Sequence, residues 1–412
     1  MADLTSAEPM LKEVWPDAFE TAFSQEIVGI ARLEKTSEGI KNDYSGRYVV
    51  IPMKVRRNQG IGSRSERAIL PLPGKQGWSG SRVTMRYQYG VGDITLQGLK
   101  LADSEPRSFI NLLDQEMSGL RDDVMKDYAR QFYGNATGAL TAVTADTVGT
   151  ADVNTLEVDS VQYLEVEMLV DLVLESGPTV EVTAAEIVSI DETAKLVVFD
   201  VNVSAVTTAA IAVRSGSYNQ EINGLGALIG SGGVQNLTPA EEPSWESPTF
   251  TAGAARAYDE ILFIKALDST RRRTGKSVSA MFTDFGGRRA MFADLVQTRD
   301  YTNTVEFAQG FSAMPFNYGA KTVPVVEDPD YPGDYDSVTT SFIGVAEEVV
   351  KVYRDPEGWH FAEETGSMFI AKTDRSDAWE FRLRQVSQLG TSQRNAHFRI
   401  ENITSIPEDA AA

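Results

Sequence analysis

Along the first 40 residues one apolar stripe stands out: Phe19, Phe23, Ile27, Ile30 and Leu33 recur at helical spacing inside an otherwise polar arm. From 46 to 89 the period drops to two. In RVTMRYQY (82–89), Val83, Met85, Tyr87 and Tyr89 alternate with Arg82, Thr84, Arg86 and Gln88, the mark of a half-buried strand, and RYVVIPMKV (47–55) is its expected partner. Gly60, Gly62, Pro71, Pro73, Gly74, Gly77 and Gly80 predict a long open hairpin rather than a tight turn. A lone two-stranded hairpin is marginal in water, so the ribbon needs a partner surface.

The strongest helical pattern is SEPRSFINLLDQEMSGLRDDVMKDYARQFYGN (104–135). Phe109, Leu113, Met117, Leu120, Val124 and Tyr128 form one apolar stripe, Asp103 or Ser104 caps it, Pro106 sits in the first turn, and Gly134 ends it. About 28 residues at 1.5 Å each make a rod of roughly 40 Å, the length of a structural spine. Residues 139–222 then become rich in Val, Thr and Ala. VQYLEVEMLV, TVEVTAAEIV and AKLVVFDVNV read as strands separated by ESGP and DETA turns, forming a small β-domain. A Gly-rich link (223–233) and a Pro-rich link (238–248) follow. The chain then alternates: a helix over about 254–274, strand SVSAMFT, helix DFGGRRAMFADLV and strand KTVPVVED. FIGVAEEVVKVYRD, WHFAEETGSMFI, DAWEFRLRQVSQLG and QRNAHFRIENIT close it with strands whose partners lie far away in sequence. The class is α+β.

Charge sharpens this picture. The chain of 412 residues carries a formal net charge of −21, yet Arg47, Lys54, Arg56, Arg57, Arg64, Arg67, Lys75, Arg82 and Arg86 crowd the ribbon against a single acid, Glu66. Residues 139–222 are the reverse, with only Lys195 and Arg214 against fourteen acids. Ribbon cations therefore call for an acidic partner. The overall acidity argues against broad nucleic-acid affinity, which depends on Lys and Arg displacing counterions. With 42% hydrophobic and 24% charged residues the chain is an ordinary globular protein, long enough for two or three domains. The absence of cysteine excludes disulfides, thiolate nucleophiles and zinc–cysteine sites. An acidic start without an apolar core is not a secretory signal, and no stretch approaches the roughly 18 apolar residues of a membrane helix, so the expectation is a soluble cytoplasmic product with no membrane partner.

Catalytic motifs do not assemble. The two histidines, His360 and His397, fall in expected strands and read as structural. GWSGS (77–81) lies in the hairpin loop rather than at a strand-to-helix elbow, which counts against a serine hydrolase. TGKS (274–277) lacks the first P-loop glycine, replaced by Thr270, and follows a helix instead of a strand. YGVGD (89–93) reads as a turn. EDPDYPGDYD (327–336) offers Glu327, Asp328, Asp330, Asp334 and Asp336 to a hard cation, but Pro332 and Thr339 break the EF-hand pattern, so a surface loop is favoured. Arg271, Arg272 and Arg273 suit either a phosphate or the helix dipole, the dipole preferred. Asn135 and Asn402 satisfy the glycosylation triplet, without consequence in the absence of secretion. No catalytic residue, metal site or cofactor is expected.

Five segments taken in order carry a family resemblance: YGVGDITLQGLKLA (89–102), with the spacing Y-x-x-x-D-I-T-x-x-x-L-x-L-A; LDQEMSGLRDDVMKDYARQFYGNATG (113–138); GLGALI (224–229); VPVVEDPDYPGD (323–334); and RQVSQLGTSQRNAHFRIENI (384–403). Together they resemble the major capsid proteins of tailed bacteriophages, which have the Hong Kong 97-type fold. The resemblance implies an N-terminal arm (1–40), an E-loop hairpin (41–100), a P-domain spine helix (101–138), an A-domain (223–336), P-domain sheet strands (337–395) and a C-terminal strand and tail (396–412), to which the acidic all-β insertion (139–222) is extra. It implies hexamers and pentamers closing an icosahedral shell around double-stranded DNA, in a virion assembled in the host cytoplasm, with an E-loop that lies across a neighbouring subunit.

Departures from the type pattern carry their own expectations. Only about 15 residues precede the first amphipathic helix, which favours a separate scaffolding protein over a built-in scaffolding segment; a portal and a cement protein are the other expected partners. The Lys, Asn and Glu of the family's covalent crosslink find no residue match, so none is claimed. For the insertion the resemblance leaves two roles open, bracing neighbouring capsomers or decorating the surface. Two alternatives compete with the capsid: an encapsulin-like nanocompartment shell with the same fold, and a cation-binding β-rich protein or enzyme built around the acidic loop.

Overall fold

In the computed structural model the described residues are 27–35, 40–41, 48–95, 112–145, 154–175, 177, 179–298, 305–306, 312–319, 321–333, 339–356, 358–362, 369–371 and 378–406. Their helices are α1 (Gly29–Lys35), α2 (Leu112–Tyr133), α3 (Leu225–Leu228), α4 (Glu260–Thr274) and α5 (Phe285–Thr298). Among the strands, β1 (Ile40–Lys41), β2 (Tyr48–Arg56), β3 (Gly77–Thr84) and β4 (Arg86–Thr95) precede α2, and β5 (Ala139–Ala145), β6 (Thr155–Val158), β7 (Leu169–Leu174), β8 (Thr179–Asp191), β9 (Leu196–Phe199) and β10 (Ala210–Arg214) follow it. Then come β11 (Thr249–Phe250), β12 (Ala280–Thr283), β13 (Val305–Glu306), β14 (Ser312–Tyr318), β15 (Lys321–Glu327), β16 (Thr339–Val345), β17 (Val350–Arg354), β18 (His360–Phe361), β19 (Phe369–Ala371), β20 (Ala378–Thr391) and β21 (Phe398–Thr404). Among the described residues no helix is long and apolar enough to cross a membrane.

The chain divides into two units, with β4, α2 and β20 contributing residues to both. In the smaller unit (89–127 and 359–385 among the described segments), β18 and β19 pair antiparallel with β20, placing His360 opposite Arg384 and Phe369 opposite Phe381. YGVGD, expected as a turn, is extended here inside β4. Its glycines are needed for contact: a Cβ on Gly90 would lie 2.5 Å from Val124 of α2, and one on Gly92 would lie 2.5 Å from the Phe381 ring. The expected cap at Asp103 or Ser104, with Pro106 and Phe109, lies outside the described residues, as do Phe19 and Phe23 of the arm.

The larger unit contains three assemblies besides the two-stranded sheet of β2 and β3. Residues 139–214 supply six strands that close into a barrel in the order β10-β5-β6-β9-β8-β7, filled by Leu156, Val170, Leu172, Ala185, Ile187, Val197 and Phe199. A seven-stranded sheet runs β11-β21-β16-β12-β15-β14-β13, and α4 packs on it through Phe263, Ala266 and Leu267, which meet Phe316, Phe342 and Phe398. α4 starts later than the apolar pattern suggested because the Asp259 side chain accepts the Ile261 N–H at 2.9 Å, and Gly275 ends it in the left-handed region at φ 73°. The third assembly joins β17 antiparallel to the end of β20 and parallel to β1. Beside it α1 buries Ile30 and Leu33 and holds Arg32 to Glu347 and Glu34 to Arg354.

Candidate assembly surfaces

The ribbon is a two-stranded sheet of β2 and β3, with Val49 opposite Val83, Ile51 opposite Ser81 and Lys54 opposite Trp78. Alternation along each strand gives it two faces. One face turns inward, burying Met53, Ser81 and Val83; the other exposes Tyr48, Val50 and Trp78, with Arg82 lying over the Tyr48 ring at 5.3 Å. RVTMRYQY is not one strand: the chain breaks at Met85, so β3 pairs with β2 while β4 pairs with β20. GWSGS likewise lies in β3 rather than in a loop. Residues 57–76 connect the strands without regular structure, and here Ile61, Ile69, Leu70 and Leu72 are 79%, 89%, 78% and 85% exposed. Contiguous exposed apolar side chains of this size mark an interaction surface.

At its base the ribbon is anchored by glutamines. The Gln235 side chain donates to Ser81 Oγ (3.2 Å) and joins the Thr391 backbone, and the Gln235 carbonyl accepts the Arg82 N–H at 2.9 Å. Gln88 Nε2 donates to Gln131 Oε1 of α2 at 3.0 Å, and Gln388 Nε2 donates to the Thr84 carbonyl at 3.0 Å. All four glutamines are buried. Satisfied buried amides fix a geometry firmly, because an unpaired one is costly.

The nine cations divide. Arg56 pairs with Glu242 at 3.4 Å, Arg86 donates to Gln220 Oε1 at 3.4 Å and Arg82 stacks on Tyr48, so these three act within the chain. Among the described residues Lys54, Arg57, Arg64, Arg67 and Lys75 form no ion pair, although Arg64 Nε reaches the Ile69 carbonyl at 3.1 Å. Arg47 lies outside the described residues. On α2, Tyr128 is fully buried while Met117, Leu120 and Val124 are half-buried, and nothing is described of the Leu113 side chain or of Phe109. The helix buries its end most deeply, through Tyr128, Ala129, Phe132 and Tyr133.

Of the acidic loop expected at the surface, the described part, residues 327–333, is largely buried, with Pro332 exposed. Asp328, Asp330 and Tyr331 are 2%, 4% and 1% exposed. Asp328 Oδ2 accepts the Tyr133 hydroxyl (2.6 Å) and the Gly29 N–H (2.7 Å), while Oδ1 accepts the Asp330 N–H at 2.9 Å. Burial, reinforced by the Asp328 carboxylate, pushes the Tyr133 hydroxyl well above its ordinary range, so it stays a proton donor. The barrel leans on the same loop: Gln162 Nε2 donates to the Pro329 carbonyl at 2.8 Å and Tyr163 OH to the Asp330 carbonyl at 3.0 Å. A buried Arg130–Glu221 ion pair ties α2 to the chain leaving the barrel. Among the described residues no three His, Asp or Glu side chains converge to hold a metal; Asp334 and Asp336 lie outside them.

Other sequence candidates occupy the following places. Lys276 of TGKS pairs with Glu348 at 3.1 Å, and Arg271 to Arg273 occupy the exposed last turn of α4. His360 accepts from Arg384 Nε at 2.9 Å. His397 is not in a strand but in the link before β21, wholly buried. Its Nδ1 accepts the Ala346 N–H at 3.2 Å and its Nε2 faces the Thr391 hydroxyl at 3.2 Å. Burial, then Arg394, pushes its pKa down to about 3. Arg394 is itself buried, donating to the carbonyls of Leu228 (2.7 Å), Ala227 (3.2 Å) and Trp245 (3.3 Å), and to that of Gly232.

No protein-family model and no curated protein matches this sequence. Solved structures do match in fold. A capsid chain of cyanophage A-1(L) superimposes with a TM-score of 0.58 at 14% identity, covering 96% of this chain and 98% of that one. The chain has the Hong Kong 97-type fold. The same fold appears in the capsid of a native GTA particle (TM-score 0.51, 10% identity, 98% and 99% covered) and in the SrpI encapsulin of Synechococcus elongatus (0.50, 10%, 98% and 96%). Within the fold of this chain, the buried glutamines and the Asp328 joint are what sequence reading missed. Gln and Asp ordinarily face solvent, and their partners lie far away in sequence.

Proposed function

We propose that this protein is the major capsid protein of a tailed bacteriophage, a structural and non-enzymatic subunit that assembles into hexamers and pentamers of an icosahedral shell enclosing double-stranded DNA. The observation that carries this reading is the fold match to the cyanophage A-1(L) capsid over nearly the full length of both chains. On this reading β2, β3 and residues 57–76 are the E-loop, α2 is the spine, residues 139–222 are an insertion, and the seven-stranded sheet belongs to the A-domain. The ribbon supports it physically. The two strands bury one face against their own chain, but the apolar side chains of the tip between them stay 78–89% exposed, and a neighbouring copy supplies their burial. A scaffolding protein, a portal and a cement protein are the further partners, and the virion, assembled in the host cytoplasm, is the site of action.

The encapsulin likeness favours a second reading, a cargo-loading nanocompartment. Contents distinguish the two. Particles containing this chain, purified from infected cells and treated with nuclease, are expected to retain double-stranded DNA. Particles that carry a co-purifying enzyme and no protected DNA would establish the nanocompartment instead.

A further inference from the structure

Outside the ribbon and β4, six large apolar side chains are exposed among the described residues: Val166, Leu169, Val180, Val188, Ile261 and Phe292. Four belong to residues 139–222, and register and backbone bonding place three of those, Val166, Leu169 and Val188, around the β7–β8 pairing. Leu169 stands directly opposite Glu186. Val188 is two residues further along the same face of β8, and Val166 adjoins Glu167, whose N–H bonds the Ile187 carbonyl at 2.8 Å. Leu169, Val188 and Val166 are 50%, 53% and 54% exposed. Acids surround them: Glu165, Glu167 and Glu186 are exposed, and Asp200 accepts the Glu186 N–H at 2.9 Å. Residues 139–222 hold two cations, Lys195 and Arg214, against fourteen acids, so the domain as a whole is strongly negative.

The ribbon tip has the complementary character. Ile61, Ile69, Leu70 and Leu72 are exposed among Arg57, Arg64, Arg67 and Lys75, with Glu66 as the single acid. These four apolar side chains are 78–89% exposed, so the surface of the tip is open to a partner. We propose that the ribbon tip of one copy docks on the valine and leucine patch of the barrel of a second copy, its arginines against Glu165, Glu167 and Glu186. This rests on the shell reading above and assigns the barrel a role within it, as the receiver of a neighbour's ribbon. Apolar burial supplies most of the affinity, while opposite charge sets register and encounter rate and weakens with salt.

The chain has no cysteine, so engineered thiols report contacts without background. The double variant Leu70→Cys/Val188→Cys is assembled, treated with a short bis-maleimide, and examined by denaturing gel, mass spectrometry and electron microscopy. The expected result is a ladder of covalent oligomers joined through positions 70 and 188, absent from unassembled protein and from each single variant. Normal particles without that link, or with position 70 joined elsewhere, overturn the docking and leave the shell reading standing. Absence of any particle from the unmodified chain overturns both. Should the double variant fail to assemble, charge exchange decides: Glu167→Lys/Glu186→Lys is expected to lower assembly at low salt at least about tenfold, with Arg57→Glu/Arg67→Glu in the same chain restoring it. Unchanged assembly, or no restoration, overturns the proposal.

Discussion

Replacing His397 with glutamine isolates one buried titration. The imidazole is wholly enclosed, accepts a backbone N–H through Nδ1 and lies beside Arg394, so protonation loses an acceptor and adds a second buried cation. Its pKa falls from 6.5 to about 3, burial being the larger cause. In the unfolded chain it returns to about 6.5, so below that pH the unfolded state binds the extra proton. The resulting stability is fully present above pH 6.5 and is lost as pH falls towards 3. At full expression the shift corresponds to roughly 5 kcal/mol, and at pH 5 to roughly 2 kcal/mol relative to pH 8. Urea unfolding of wild type and His397→Gln at both pH values gives the test. Other groups titrate in both proteins and cancel in the double difference. The stability advantage of wild type over variant is expected to shrink by about 2 kcal/mol between pH 8 and pH 5. An unchanged advantage would refute the buried neutral histidine.

Three further perturbations test other parts of the architecture. Gly224→Ala places a methyl 2.3 Å from the Gln131 carbonyl oxygen and 2.6 Å from those of Phe132 and Gly134, where rigid backbone cannot yield; the melting temperature is expected to drop by several degrees, and an unchanged value contradicts that packing. Arg130→Met removes one partner of the buried Arg130–Glu221 ion pair, costing about 3–5 kcal/mol in chemical denaturation, and Arg130→Met/Glu221→Met recovers much of it. Ile69→Asp/Leu70→Asp alters only solvent-facing side chains of the subunit, so its melting temperature stays within about 1 °C while assembly fails. Parallel loss of both would mean that the tip is part of the subunit's own core.

What sequence reasoning could reach was set by local periodicity. The alternation of Val83, Met85, Tyr87 and Tyr89 reveals extended chain, but not that pairing passes from β2 to β20 at Met85, where the inward face changes phase: Val83 and Met85 are buried, whereas Tyr87 and Tyr89 are exposed and Gln88 and Gly90 turn inward instead. Gly90 and Gly92 looked like turn residues because the helix and the ring that require them, at Val124 and Phe381, are remote in sequence. EDPDYPGD looked like a solvated loop for a related reason. Its burial depends on Tyr133 and Gly29, 195 and 299 residues from Asp328. The ribbon's cationic excess, by contrast, is a property of composition and was readable at once. Which cations remain available was not: Arg56 and Arg86 find partners at Glu242 and Gln220 through tertiary folding alone.

The central claim is that the subunit is incomplete by itself and that the ribbon's tip is covered by another copy. Electron microscopy of the purified chain, alone and with a candidate scaffolding protein, combined with limited proteolysis across residues 57–76, tests it most directly. Closed shells, or rings of five or six copies, are expected, with the tip cleaved in free subunits and protected in particles. A monodisperse monomer under both conditions, its tip already resistant to protease, would contradict the account.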